Sequence, residues 1–429
     1  MLKFFKPVCL CLWAVALSWP AAARLTLDEC QRLAQENYPL ARKYELVALS
    51  AAYSVSNAKK GYLPQLAFSG QAAWQTDVPV LPGALSNVLT QQGYTYRGLK
   101  KDQYKLAFDV NQTVWDGGAV RAQQELAVAE GSVSEAGTEV EMYAVRQRVN
   151  QLFFGLLLVN EKMEVNEATR ALLRSNCDRL EAMLANGTAM QSDVDAVRAE
   201  YLESEQQRTE LAAMKESYRC MLSLFIGKEV REPLQKPAPA MPGSGANLRP
   251  ELALFDARLV QADAWQKQLR SGIMPRTALF AQGYYGYPGM DYFHDMFSRD
   301  WTFNAQVGIR LAWNIGNLYT YRNSRRKIDL TRRQIENDRE VFLFNNRLEA
   351  IQNESDIGLY RKVMGADEEI IALRTSIREA AEAKLANGII DVNNLLREIT
   401  REKQARLQRS AHEVEWLLAL YDLKYTRNR

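Results

Sequence analysis

The residue types that most often carry catalysis or bind metals are few in this chain, and their spacing suits neither task. His294 and His412 are the only histidines, too few for a His-rich metal site and poorly suited to a histidine-based triad. Beyond the N-terminal segment described below, the cysteines are Cys30, Cys177 and Cys220, an odd number without metal-ligand spacing. Gly243-Ser244-Gly245 has a Gly-x-Gly pattern but lies in a Pro-rich stretch and follows no predicted strand, so it is no phosphate-binding loop. The carboxylates are dispersed and build no acid–base constellation. The expectation is a protein with no catalytic residue, no metal and no cofactor, and not an enzyme.

One spacing does stand out. Leu-Ala-Asn-Gly occurs at 184–187 and again at 385–388, which puts Gly187 and Gly388 201 residues apart. The hydrophobics Val194 and Leu395, each seven residues past its glycine, keep the same offset. A period of this length is far longer than a solenoid repeat, and it marks a tandem duplication of one strand–strand–long-helix unit. Asn-Gly inside a helical run is a helix stop, since glycine adopts the left-handed conformation that ends a helix.

The elements around these turns repeat in order. Thr26 is placed to cap a first helix, with Asp28 and Glu29 in its first turn, continuing to about Lys60. Gly61 and Pro64 end it. Residues 65–75 then alternate, with Leu66, Phe68, Ala72 and Trp74 against Gln65, Ser69, Gln71 and Gln75. A Pro/Gly-rich loop over 77–102 leads to a second strand, Tyr104, Leu106, Phe108, Val110 and Val114 against Lys105, Asp109, Asn111 and Thr113. From Gly117 a heptad stripe follows (Ala122, Leu126, Ala129, Val133, Ala136, Val140, Tyr143), shifts by two, and resumes at Val145, Val149, Leu152, Leu156, Val159 and Met163. No proline interrupts 116–185, a helix of about 105 Å. A second helix covers about 192–225.

The second half echoes this: a helix over about 251–270, a poorly alternating strand over 277–287, a clean one over 303–313, and a proline-free stretch from Asn317 broken only at Asn387-Gly388. Val363, Ala366, Ile370, Leu373, Ile377 and Ala380 form part of its stripe. The expected organisation is a signal segment over 1–23, a first repeat over 24–226, a Pro/Gly-rich linker over 227–250 and a second repeat over 251–429.

The signal segment has Lys3 and Lys6, an apolar core over 8–19 and Ala21-Ala22-Ala23 before Arg24, the pattern of a cleavable export signal. Without Lys3 and Lys6 the 54 basic residues fall to 52, against 51 acidic. That balance gives no support for nucleic-acid binding. Later stretches fall short of the ~20 apolar residues that a spanning helix needs.

Four strands with one apolar and one polar face cannot close a barrel alone and would expose their edges. Symmetric association resolves this, with several chains contributing to one barrel. Strands of about ten residues, apolar outside and polar inside, suit a water-filled membrane barrel. Aromatics cluster at the strand ends as interfacial girdles do: Trp74, Tyr104 and Trp115, then Tyr284, Tyr285, Tyr287, Trp301 and Trp313.

With those residues in view, the chain resembles the TolC family of outer-membrane efflux proteins. The resemblance rests on Leu25-Thr26-Leu27-Asp28-Glu29-Cys30, Gly61-Tyr62-Leu63-Pro64-Gln65-Leu66, Val114-Trp115-Asp116-Gly117-Gly118, and the two Ala-Asn-Gly turns followed by Asp193-Val194 and Asn394-Leu395-Leu396. It covers essentially everything past the signal segment. The resemblance implies a mainly α fold with a small β part, closing as a homotrimer into a twelve-stranded outer-membrane β-barrel and a periplasmic α-helical tunnel. It implies passive export of substrates from an inner-membrane pump (RND or ABC) through a periplasmic membrane-fusion adaptor, in efflux or in type I secretion. Asn186, Gly187, Asn387 and Gly388 match the tip turns where adaptors dock. Outer-membrane lipid is the remaining partner.

The family's entrance aspartates fall here on Asn394 and Arg397, so that ring is not carried over. Asp193 and Asp195 are the substitute candidates for a constriction, and Asp193 is equally placed to cap a helix. Glu398 is a possible partner for Arg397. Arg322, Arg325, Arg326, Lys327, Arg332 and Arg333 open the second long helix, facing either lipid phosphates or solvent. Cys30 and Cys220 are candidates for a bridge near the equator. The rival readings are an exported coiled-coil stalk without a pore and an exported enzyme on a helical scaffold.

Overall fold

The computed structural model describes residues 25–231, 233–239 and 247–428; the expected export signal lies outside them. The described elements are α1 (Leu27–Asn37), α2 (Ala41–Lys59), β1 (Gln65–Trp74), α3 (Gly83–Gln91), β2 (Asp102–Trp115), α4 (Ala119–Ala185), α5 (Gln191–Ile226), α6 (Pro250–Ser271), β3 (Arg276–Tyr287), α7 (Tyr292–Ser298), β4 (Thr302–Ala312), α8 (Asn317–Ala386) and α9 (Val392–Arg427). The described residues form two compact units, one from those within 25–41, 141–248 and 346–428, the other from 42–140 and 249–345. Each draws on both halves of the sequence.

The second unit holds the sheet, ordered β1-β2-β3-β4 and antiparallel throughout. Asp116 starts α4: its carboxylate accepts from Gly118 N at 2.8 Å and from Val120 N at 2.6 Å, satisfying backbone donors that a helix start leaves free. Lys267 pairs with Glu125 at 2.7 Å and Arg332 with Asp263 at 2.5 Å, tying α6 to α4 and to α8. Such exposed pairs fix position more than they stabilise.

The first unit has a helical core. Phe153, Phe154 and Val149 of α4, Leu222 and Ile226 of α5, and Leu417, Leu420 and Leu423 of α9 are almost fully buried. Tyr143 stacks on Tyr425 at 4.6 Å, and its hydroxyl donates to the Tyr425 carbonyl at 2.6 Å. The resumed α4 stripe lies inside: Val145, Val149, Leu156 and Val159 are buried, Leu152 and Met163 half-buried.

Several expectations are corrected. The first helix is two helices, because Pro39 follows Tyr38 and a residue before proline is pushed out of the α region; Tyr38 is extended at ψ 135. The Pro/Gly-rich loop over 77–102 contains a short helix, α3, and the β3–β4 connection contains another, α7. On α8 the apolar stripe faces outward, with Ile370 at 45%, Leu373 at 57% and Ile377 at 44% exposure. The side of α8 turned inward is mixed: Ala381 and Leu385 are buried, and Thr375 and Arg378 meet Glu402 of α9. Cys30, Cys177 and Cys220 are free. Cys30 is buried, which pushes its thiol pKa up to about 12, whereas Cys220 is exposed, and the candidate bridge between them is not formed. Among the described residues no helix is long and apolar enough to cross a membrane.

Candidate functional site

Strand register sorts the sheet into two faces. Ala67, Asp109, Gln282 and Gln306 are opposite one another across all four strands, so they share a face. On it Lys105 Nζ donates to Gln282 Oε1 at 3.3 Å, Gln306 Nε2 donates to the same oxygen at 3.0 Å, and Gln282 Nε2 donates to Asp109 Oδ1. Gln282 therefore links β2, β3 and β4 through side chains alone. The poor alternation of β3 hid it in the sequence, because tyrosine, alanine and glycine occupy both faces of that strand.

The other face is apolar and open. Leu66, Phe68, Phe303, Val307, Ile309 and Leu311 are 64 to 80% exposed. A sheet face this apolar is not left to water in a stable protein. Trp74, Tyr104, Tyr285 and Trp301 lie at one end of this face, where Trp301 stacks on Tyr104 at 5.9 Å and packs on Tyr285 at 5.4 Å. Trp115 and Trp313 lie at the other end, and Trp313 Nε1 donates to the Ile273 carbonyl at 3.0 Å.

Parity alone would put Trp115 with Asp109 and Thr113. A register irregularity between Thr113 and Trp115 pairs it instead with Thr277, opposite Leu311, and returns it to the apolar side. Tyr284 does not join this set. Adjacent strand residues point to opposite faces, so Tyr284 is on the polar face, where Lys105 Nζ sits 4.3 Å from its ring centre.

The loops at the Trp74 end form a small cap. Leu99, Tyr287 and Met296 are its buried core, packed by Val78, Leu81, Tyr96 and Phe297. Arg97 N donates to the Met296 carbonyl at 2.9 Å, and Arg299 Nε to the Gly98 carbonyl at 2.9 Å. Asp295 is 1% exposed and accepts from Gly289 N.

In the helical unit, both Asn-Gly turns close the same way. Asn186 Nδ2 donates to the Ala182 carbonyl at 2.9 Å and Asn387 Nδ2 to the Ala383 carbonyl at 2.7 Å. Gly187 and Gly388 have φ of 73 and 68, the left-handed cap that glycine adopts without strain. Beneath them Leu173 and Leu180 of α4, Val194 and Val197 of α5, Ala381 and Leu385 of α8, and Val392, Leu395 and Ile399 of α9 form one core. The structure thus brings the two duplicated turns onto a common base.

The constriction candidates are differently placed. Asp193 accepts from Met190 N at 3.0 Å, holding the start of α5, while Asp195 accepts from Gln191 Nε2 at 2.9 Å. Asn394 is half-buried and its backbone N donates to Asp391 at 2.8 Å. Arg397 is exposed. Glu398 turns to Arg401 at 2.7 Å and Arg374 at 3.7 Å rather than to Arg397.

Spacing did not reveal the network behind the tips. Glu402 accepts from Thr375 at 2.8 Å, Arg378 at 2.6 Å and Arg406 at 2.6 Å, with its side chain 8% exposed. Burial alone would raise its pKa, but the hydrogen bonds from Arg406, Thr375 and Arg378 outweigh it, and the carboxyl ends below its usual range. Among the described residues no group of three His, Cys, Asp or Glu is placed to hold a metal ion.

No family model and no curated protein matches the chain. Solved structures do. The outer-membrane channel OprN is similar over 93% of this chain and 89% of its own, at 15% identity and a TM-score of 0.70. The outer-membrane protein VceC from Vibrio cholerae is similar over 92% and 95%, at 13% identity and a TM-score of 0.70. The Campylobacter jejuni outer-membrane channel CmeC is similar over 93% and 85%, at 14% identity and a TM-score of 0.69. Together with the two-faced sheet and the paired helical tips, these likenesses give the chain the TolC-like fold of outer-membrane channels.

Proposed function

We propose that the chain is one protomer of a homotrimeric outer-membrane channel, the exit duct of a tripartite efflux or type I secretion system. The observation that carries this reading is the sheet: one face exposed and apolar, the other cross-linked by polar side chains, and both edges, β1 and β4, without a partner strand among the described residues. Three copies pairing β4 to β1 make a closed twelve-stranded barrel, with the Asp109–Gln282–Gln306 row facing water and the Phe68, Val307 and Leu311 side facing lipid. Tyr104 and Trp115 are eleven residues apart on β2. At about 3.3 Å per residue and a tilt near 45°, that separates the aromatic bands by about 26 Å, close to the apolar height of such barrels. A pore-less stalk gives no reason for this two-sided sheet.

The same reading assigns repeats over 24–226 and 251–429, joined by the 227–250 linker, and an export signal over 1–23. The outward stripe of α8 becomes an interface between copies in a periplasmic tunnel. Asn186, Gly187, Asn387 and Gly388 become the docking turns for an adaptor that couples the duct to an inner-membrane pump, and Asp193, Asp195, Asn394 and Arg397 the candidate entrance residues. Export through it is passive, without catalysis or cofactor.

The test is planar-bilayer conductance of detergent-purified protein whose oligomeric mass is known. Discrete channels from a trimer are expected, and Asp193→Ala alters cation selectivity if that carboxylate borders the entrance. A protein that stays monomeric and never enters membranes overturns the reading and favours the stalk.

A further inference from the structure

Below the Trp115–Trp313 band, the first turns of α8 carry a cluster of cations with no ion-pair partner among the described residues. Arg322, Arg325, Arg326 and Lys327 are exposed. No ion pair forms to any of them among the described residues, in contrast to Arg332, which meets Asp263. Arg322 and Arg326 are four residues apart, and Arg322 and Arg325 three, spacings at which like charges on a helix repel. The first turn of α8 has no acidic residue to offset them.

The helix does not require them. Arg322 lies nine residues beyond Trp313, the tryptophan just past β4; nine residues beyond Trp115, at the end of β2, lies Gln124. Counted this way, Arg325, Arg326 and Lys327 correspond to Ala127, Val128 and Ala129. The first repeat builds the same helix start without the cluster.

The residues leading up to the cluster indicate what would neutralise it. Going from the sheet into α8, exposed Ile309 and Leu311 give way to Trp313, Ile315, Leu318 and Tyr319, at 53, 52, 42 and 83% exposure, and then to the cations. Apolar, then aromatic, then basic is the order in which a membrane boundary is crossed from hydrocarbon through interface to headgroup phosphate. Arginine suits that last layer, because its guanidinium forms paired hydrogen bonds to phosphate oxygens.

We propose that Arg322, Arg325, Arg326 and Lys327 form a docking surface for anionic phospholipid headgroups in the leaflet on the helical side of the barrel. This rests on the outer-membrane reading. Each cation near an anionic surface strengthens association about fivefold, so the four together account for a preference on the order of a hundredfold or more.

The experiment is native mass spectrometry of the full protein in detergent with equimolar phosphatidylglycerol and phosphatidylcholine, alongside its bilayer conductance. The native protein is expected to retain phosphatidylglycerol in preference to phosphatidylcholine, and less so at high salt. Arg322→Gln/Arg325→Gln/Arg326→Gln/Lys327→Gln loses the preference while keeping oligomeric mass and conductance. A control with the same change in charge farther along α8, Arg347→Gln/Arg361→Gln/Lys362→Gln/Lys384→Gln, keeps it. If the first variant assembles poorly, Arg322→Lys/Arg325→Lys/Arg326→Lys holds the charge and is expected to retain most of the preference. A native protein without preference, or equal loss in the control, overturns the proposal. Conductance is the separate readout: its absence from the native trimer counts against the channel, not against the lipid surface.

Discussion

The tip glycines allow a docking role to be separated from a folding role. Both adopt positive φ, so any side chain there carries a backbone cost, about 1–2 kcal/mol for alanine and less for asparagine, which visits this region more readily. A Cβ at either Gly187 or Gly388 meets nothing within 4 Å, so no steric cost is added. Gly187→Asn and Gly388→Asn are therefore each expected to destabilise by less than about 1 kcal/mol, and the helical melting curve moves little. Gly117 supplies the contrast. It also has positive φ, but its Cβ would lie 2.3 Å from Met274 Cβ, so Gly117→Asn adds an overpacking cost of about 1–3 kcal/mol and lowers the melting temperature clearly.

If adaptors dock on the turns, the two tip variants place a polar side chain into the contact. Adaptor binding should then weaken about tenfold or more, while Gly117→Asn leaves binding by its folded fraction unchanged. Circular dichroism gives the stabilities, and surface plasmon resonance with the periplasmic domain of the adaptor gives the binding. Tip variants that melt and bind like the native protein refute the docking assignment. Tip variants that unfold refute the reasoning that the space above each glycine is open.

Two other predictions follow from the helical unit. Glu402→Ala removes a buried acceptor shared by three donors; Arg378 keeps Glu379 and Glu382, so the expected loss is about 2 kcal/mol, below the usual cost of breaking a buried pair, read as faster hydrogen exchange in α8 and α9 around residues 375–406. Because the folded carboxyl titrates below its ordinary value of 4.5, its contribution is complete above that value and is lost as pH falls through the folded one; exchange protection there should drop on acidification in the native protein and respond less in the variant. Leu373→Ser/Ile377→Ser removes two half-exposed side chains whose further burial between copies is worth about 1 kcal/mol each. The trimer should weaken while the isolated protomer melts unchanged, and analytical ultracentrifugation showing an intact trimer at low concentration would exclude the α8 stripe from the interface.

What the sequence disclosed depended on whether one strand or helix could express it. The alternation of β2 and β4 and the uninterrupted run of α4 are properties of single elements, and they appear where periodicity places them. So do the Asn-Gly turns, because a left-handed cap inside a helical run needs glycine whatever lies around it. The outward stripe of α8 was visible as a pattern but not as a direction: a heptad of apolar residues says that a helix has a partner, and it is equally satisfied by a helix of the same chain or of another copy. The pairing of Thr375 and Arg378 with Glu402, with the burial of Ala381 and Leu385, shows which side of α8 the protomer itself occupies.

The polar row escaped for a related reason. Gln282 stands in a strand whose two faces carry similar residues, so its importance arises from the register that sets it opposite Asp109 and Gln306. Trp115 and Tyr284 make the same point in opposite senses, one returned to the apolar face by a local irregularity, the other removed from it by simple parity. Arg322 to Lys327 differ again, since their types and spacing were plain from the start. What the fold adds is that no carboxylate among the described residues pairs with them, and a repulsive cluster just beyond an aromatic band is a stronger statement about the surroundings than about the helix that bears it.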